Sequence, residues 1–323
     1  MGKSKRVGIV GVGNVGSTVG YSIAMRGLAH EVILCDHKVE RAKGMALDMS
    51  QSAQAARMST SVKVAETPAQ LIDCDLVVVT AGSPRLPGMN RNDLLIKNAQ
   101  IMKEVVRDIK TYSPNAIIIP VSNPLDVMVY VALKETGWER SRVVGMSGIL
   151  DSARMAHYIQ EAIFNKHKIE FGGQVRAQVI GGHGDTMVPL PRFTTVAGLP
   201  LTDFLDWNEI NEIVSKTKNG GAEIVGYLQT GSAYYAPAKA TSLMVESILQ
   251  DKKLVYPCAV MLEGEYAYED VVSGVPVMLG ARGVEQVFAP SLDAEQDRLF
   301  AESIRSVREL IDVLNLNKFF ETK

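Results

Sequence analysis

Residues 6–16 read Arg-Val-Gly-Ile-Val-Gly-Val-Gly-Asn-Val-Gly, a short β-branched run that passes through three spaced glycines into a helical pattern. The spacing G-x-G-x-x-G at Gly11, Gly13 and Gly16 assigns each glycine a task. The first allows a tight turn, the second lets backbone approach a pyrophosphate, and the third lets helix and sheet pack closely. Phosphates at such a place meet exposed amides and the positive end of a helix dipole. Alone the spacing is weak evidence. Its context strengthens it: a strand before, a helix after, and Asp36 at the end of a second strand, 20 residues beyond Gly16. A carboxylate there can accept hydrogen bonds from both adenine-ribose hydroxyls and would repel a 2′-phosphate, so the expected cofactor is NAD rather than NADP.

Outward from this motif, β-branched runs alternate with helical patterns through residue 145. Strands are expected at Arg6–Val10, Glu31–Cys35, Asp75–Thr80, Ala116–Val121 and Val143–Met146. Several are apolar at consecutive positions, as strands buried on both faces are. Leu94, Ile101, Val105 and Ile109 fall at helical spacing. Alternation of this kind builds βαβ crossovers. The expected fold is therefore α/β: a Rossmann-type doubly wound parallel sheet domain over 1–145, then a mixed α+β catalytic domain over 146–323. In the second half, a helix is expected from Asp151 to His167, and strands around Gln174–Gly181 and Arg192–Val196. A long helical region follows over Asn208–Gln250, interrupted near Asn219-Gly220-Gly221 and Pro237. Two antiparallel strands, Lys253–Glu263 and Val275–Phe288, precede a final helix capped by Ser291.

Composition narrows the class. With 323 residues, 46% of them hydrophobic and 22% charged, the chain can bury a large core and is not disordered. A net charge of −2 offers no footprint for nucleic acid or an anionic membrane. Cys35, Cys74 and Cys258 are too few and too scattered for a disulfide framework, and no metal site is expected. No run approaches 18 apolar residues, and the start does not read as a signal peptide, so a cytoplasmic location is expected.

Two segments look chemical. Gly-Ile-Leu-Asp-Ser-Ala-Arg (148–154) sets Asp151 and Arg154 three apart on one helix face. Gly-Gly-His-Gly-Asp-Thr-Met-Val-Pro-Leu (181–190) sets His183 in a glycine-flanked loop suited to close approach of a ligand. Histidine suits proton transfer near neutral pH, and a carboxylate beside it would fix its tautomer and stabilise its charged form. Taken singly, an i,i+3 ion pair is common on helix surfaces and most loop histidines are ordinary. The loop 81–94 carries Arg85 and Arg91, six apart between glycines and prolines, and suits capture of a carboxylate. Asn123 precedes Pro124 at the end of a strand, where open α/β sheets bind ligands.

In combination, residues 11–16, 80–94, 121–127, 148–154 and 181–189 resemble the lactate/malate dehydrogenase family in order and spacing, over about Arg6 to Leu314. The resemblance implies proton transfer by His183 paired with Asp151. It implies that Arg154 binds the C1 carboxylate, Arg91 polarises the reacting carbonyl and Asn123 orients substrate and nicotinamide. Further cofactor contacts are implied for Asn14, Val15, Thr80, Ala81, Gly82, Asn98 and Val121. Arg85 occupies the position that separates substrates: arginine follows the malate pattern, glutamine the lactate one. Malate and oxaloacetate are therefore the expected small-molecule substrates, with lactate or another 2-hydroxyacid as the alternative. Ser232 and Ala233 lie near where the family lines its pocket. Assembly as a homodimer or homotetramer is also implied. NAD-dependent glycosidases share the fold, but they need a divalent metal held by Cys and His, and no Cys lies near His183 or Asn123 in sequence.

Overall fold

The computed structural model describes residues 4–84 and 90–321. The first half runs β1 (Arg6–Val10), α1 (Asn14–Met25), β2 (Glu31–Cys35), α2 (Val39–Ala55), β3 (Ser61–Ala65), β4 (Leu76–Val79), α3 (Arg91–Tyr112), β5 (Ile117–Pro120) and α4 (Leu125–Thr136). All five strands are parallel, in the order β3-β2-β1-β4-β5. The order reverses between β1 and β4, and the chain leaves each strand at the same edge of the sheet. That opens a crevice above the carboxyl ends, beside Gly11.

The second half begins with α5 (Gly148–His167). Short strands follow: β6 (Val175–Arg176), β7 (Val179–Ile180), β8 (Val188–Pro189), β9 (Thr195–Val196) and β10 (Leu199–Pro200). Helices α6 (Trp207–Leu228) and α7 (Tyr235–Leu249) precede an antiparallel sheet of β11 (Leu254–Glu263), β12 (Glu269–Gly280) and β13 (Gly283–Val287). Helix α8 (Ala294–Leu316) closes the chain. One buried apolar cluster extends from Val7 and Val78 through Val129 and Cys258 to Leu314, crossing both halves. A smaller cluster joins Met155, Ile159 and Ile163 of α5 to Ile210 and Ile213 of α6.

Several sequence expectations shift. The edge strand β3 escapes a reading based on apolar runs because Ser61 and Lys63 alternate with its valines. Val143–Met146 runs along β5 as an isolated bridge to Ile118 rather than a named strand: the Val144 and Met146 amides donate to the Ile118 and Pro120 carbonyls, and the Gly145 amide between them donates to the Ala259 carbonyl on the other side. The buried stripe of α3 is Leu95, Ala99, Met102, Val106 and Ile109, mostly one position on from the expected set. Helix α6 runs unbroken through Asn219-Gly220-Gly221. Those glycines let α5 approach: a Cβ on Gly220 would lie 3.0 Å from the Tyr158 hydroxyl, and one on Gly221 3.4 Å from Arg154 Nη2. Pro237 sits in the first turn of α7, where its missing N–H costs nothing, and the break falls instead at 229–234. Val275–Phe288 is two strands, β12 turning through Ala281-Arg282 into β13. The cap of α8 is Asp293, whose side chain accepts from the Gln296 amide, rather than Ser291.

Candidate active site

The walls of the crevice are set by the ends of β1, β4 and β5. Gly11 has a φ of +91°, and a Cβ there would fall 2.5 Å from the Ala81 amide nitrogen. A Cβ on Gly16 would fall 1.9 Å from the Gly11 carbonyl oxygen, whereas one on Gly13 would meet nothing within 4 Å. Two glycines are thus required by packing, and the middle one faces open space. The space lies against α1, whose N-cap is Gly13 and whose first turn carries neither a capping side chain nor an acid. Free amides at a helix start suit a pyrophosphate. Asn14 and Val15 open that helix, and Val15 lines the cavity described below.

The neighbouring loops are tied together by side chains. Thr80 Oγ1 donates to the Gly11 carbonyl at 2.7 Å. The Ala81 carbonyl accepts from Ser122 Oγ at 2.5 Å. Gly82 lies beside Asn98: a Cβ on it would be 3.5 Å from the Asn98 Oδ1. The Asn98 carboxamide accepts from the Ser83 amide at 2.7 Å and donates to the Asn123 carbonyl at 2.8 Å. Asn98 is buried, and in this arrangement it fastens two loops to each other. Asp36 closes the far side, accepting from the amides of Val12 at 2.6 Å and Lys38 at 2.8 Å. His37 Nδ1 also lies 3.1 Å from the Asp36 Oδ1; a carboxylate offers about four acceptor positions, so capacity remains for a ribose hydroxyl.

Across the crevice lies a cavity of about 820 Å³, lined among others by Arg91, Val121, Asn123, Arg154, His183, Ser232 and Ala233. Its chemical centre is the loop between β7 and β8. His183 Nδ1 lies 2.8 Å from Asp151 Oδ2, and Arg154 Nη1 lies 3.1 Å from Asp151 Oδ1. The acid sits in the first turn of α5, where a helix favours negative charge, and is 1% exposed. A single buried carboxylate therefore orients both the imidazole and the guanidinium. Burial works to lower the His183 pKa, but the Asp151 charge and hydrogen bond, with a contribution from Asp126, carry it above its ordinary 6.5. With Nδ1 held by Asp151, Nε2 is the ring nitrogen left for a ligand.

Asp126 was missed by the sequence reading. It belongs to α4, and its Oδ2 accepts from the His183 amide at 2.8 Å, pinning the loop from the opposite half of the molecule. Its Oδ1 is buried without a hydrogen-bond partner among the described residues. Burial pushes the Asp126 carboxyl up to about 6, against the opposing pull of the His183 amide and charge. The available signal was an acid within the otherwise apolar run Leu-Asp-Val-Met-Val.

Arg91 proves to be the first residue of α3 rather than part of the loop; Asn90 caps that helix in a reciprocal pair with Asp93. It is exposed and makes no ion pair among the described residues. Arg85 lies outside the described residues. Asn123 presents an exposed face to the cavity and is joined to Pro124 by a cis peptide bond.

Residues 5–145 match the description "lactate/malate dehydrogenase, NAD binding domain", and residues 149–317 match "lactate/malate dehydrogenase, alpha/beta C-terminal domain". The chain belongs to the lactate/malate dehydrogenase family. A malate dehydrogenase of Sulfurimonas denitrificans is 64% identical over 322 residues, covering 99% of each chain. The solved malate dehydrogenase of Cryptosporidium parvum superposes with a TM-score of 0.92 at 36% identity, covering 97% of this chain and 99% of that one. A lactate dehydrogenase from the same organism, solved with lactic acid and nicotinamide adenine dinucleotide, gives 0.92 at 35% identity, covering 98% and 99%. Within the family, then, the backbone does not separate the two substrates; the pocket side chains must.

Proposed function

We propose that the protein is an NAD-dependent malate dehydrogenase, interconverting malate and oxaloacetate. The carrying observation is the Asp151 carboxylate, which holds His183 at 2.8 Å on one oxygen and Arg154 at 3.1 Å on the other, at the wall of a cavity shared with Asn123 and Arg91. A proton carrier and a carboxylate clamp are thereby fixed relative to each other.

Gly11, Gly13 and Gly16, with the start of α1, would cradle the cofactor's pyrophosphate, and Asp36 its adenine ribose. The loops of Thr80–Gly82 and Val121–Asn123 would flank the nicotinamide. When bound, the nicotinamide supplies a hydride to the carbonyl carbon of oxaloacetate. Arg154 holds the C1 carboxylate, and Arg91 draws electron density onto the carbonyl oxygen. Asn123 orients substrate against cofactor. His183, charged, donates the Nε2 proton to the oxygen as it becomes an alkoxide, while Asp151 stabilises the charged ring before the transfer. In malate oxidation the neutral ring accepts that proton. Arg85 pairs with the distal carboxylate, and this separates oxaloacetate from pyruvate.

The reading places an NAD-binding domain in residues 1–145 and a substrate domain in 146–323, supported by the end of the parallel sheet and the interval between the two matched segments. It also takes the protein to be a cytoplasmic homodimer or homotetramer. In support, α1 packs on α2 and α7, and these helices leave Tyr21, Leu47 and Tyr235 exposed. No helix among the described residues is long and apolar enough to cross a membrane. The test is NADH oxidation with oxaloacetate, with pyruvate and without substrate, each with and without a chelator. Rapid, chelator-insensitive turnover with oxaloacetate is expected; a preference for pyruvate would overturn the assignment.

A further inference from the structure

We propose that Lys218 is a further anion-binding residue of this pocket, one that favours dicarboxylate over monocarboxylate substrates. The inference rests on the dehydrogenase reading for its substrates. Lys218 lines the same cavity as His183, Arg154 and Arg91, and it is half-buried. It makes no ion pair or hydrogen bond among the described residues, whereas Arg154 is bound to Asp151. Asp185 and Glu309 also line the cavity, and neither pairs with it.

Its position on α6 explains how it reaches the site. Gly221, three residues on, brings the helix backbone against Arg154, where a Cβ would be 3.4 Å from Nη2. Residues three apart on a helix lie about 60° apart around its axis, so Lys218 shares the face that meets Arg154, one turn toward the helix start. Gly221 and Ala222 of this face also line the cavity.

The electrostatics follow. Lys218 and Arg154 are like charges on one wall, and Asp151 offsets only one of them. A monocarboxylate taken by Arg154 leaves the ammonium without a partner. A dicarboxylate supplies a second negative group, and the flexible stem of lysine can follow a carboxylate whose place differs between malate and oxaloacetate. Arg91 and Arg154 are occupied at the reacting end, so Lys218 is the described cation available to the distal carboxylate. It stands on α6.

The test uses the full-length enzyme with NADH. Lys218→Met, of similar length and uncharged, should lower the oxaloacetate-to-pyruvate ratio of kcat/KM about tenfold, through the KM for oxaloacetate. Lys218→Arg should restore most of it. Raising salt should weaken oxaloacetate capture in wild type more than in Lys218→Met. Binding to the NADH complex, followed by nucleotide fluorescence, should show the same loss for the dicarboxylate tartronate against the monocarboxylate oxamate. An unchanged ratio, or equal losses for both acids, would overturn the proposal, since equal losses mean that Lys218 acts through Arg154 or the fold. If wild type failed to turn over oxaloacetate, the malate dehydrogenase reading would fall, while the tartronate-to-oxamate comparison would still decide the role of Lys218.

Discussion

At the ends of β1, β4 and β5 the crevice is walled by backbone: Gly11, Gly13, the free amides of α1 and the peptide run from Thr80 to Ser83. On the other side of the cavity the walls are side chains: Arg154 from α5, His183 from a loop, Asp126 from α4 and Lys218 from α6, with Asp151 buried behind the first two. The first region needs the chain to be close to itself within about 70 residues. The second needs four separated segments to converge. A backbone wall tolerates many neighbouring side chains but no added Cβ at its tight points. A side-chain wall tolerates backbone variation but no change of charge. The two regions should therefore fail in different ways.

The largest separation is expected from His183→Ala. Turnover should fall by about 10²–10⁴-fold, the usual worth of general acid–base catalysis, while NADH binding measured by fluorescence persists. Loss of NADH binding in that variant would erase the distinction between the two walls. Next is Arg85→Gln. A desolvated arginine left unpaired by pyruvate costs about 3–5 kcal/mol, so the oxaloacetate-to-pyruvate ratio should fall by roughly 10²-fold or more. An unchanged ratio would remove Arg85 from the pocket.

The glycine loop sharpens the comparison from the other side. Gly16→Ala places a methyl 1.9 Å from the Gly11 oxygen and should lower the melting temperature as well as NADH affinity. Gly13→Ala enters open space and should weaken NADH binding while leaving the melting temperature close to wild type. Equal thermal effects would contradict the division of labour between these glycines.

The smallest effect concerns protonation. With its pKa above 6.5, His183 should keep kcat/KM for oxaloacetate level at low pH and lose it as pH rises through the raised value; malate oxidation should run in the opposite sense. Asp126 contributes to that rise, so Asp126→Asn should move the oxaloacetate profile to lower pH by less than about one unit. The same substitution acts on stability with a definite sign. A carboxyl raised to about 6 in the fold takes up protons between its unfolded value and that figure, so its ionisation destabilises the folded protein as pH rises through the window. Denaturant titrations should show this decline flattened in the variant.

The uneven legibility of the molecule has the same origin. Gly11, Gly13, Gly16 and Asp36 could be placed because strand, turn and helix follow one another in sequence and each imposes its own spacing. Asp151, Arg154 and His183 were visible as suitable chemistry, but the 2.8 Å contact between α5 and the β7–β8 loop depends on tertiary packing. Lys218 was silent, since a lysine on a helix is ordinary until its neighbours are known. The glycine pair after it misled for a related reason: local propensity marks Gly220-Gly221 as a break, whereas packing against Tyr158 and Arg154 requires them within a helix. Ser61–Ala65 was lost because edge strands alternate polar and apolar residues.

The bond from the His183 amide to Asp126 also bears on how the protein comes apart. It joins the two halves at the reacting group itself, alongside the Gly145–Ala259 bridge and an apolar cluster that runs from Val7 to Leu314. The larger buried cluster is shared by the two halves, while the smaller one between α5 and α6 lies within the second. Heating should therefore produce one cooperative transition, with calorimetric and van't Hoff enthalpies in agreement for each folded unit, in place of two separate meltings. The proton carrier would then be lost in the same step as the fold, and not before it.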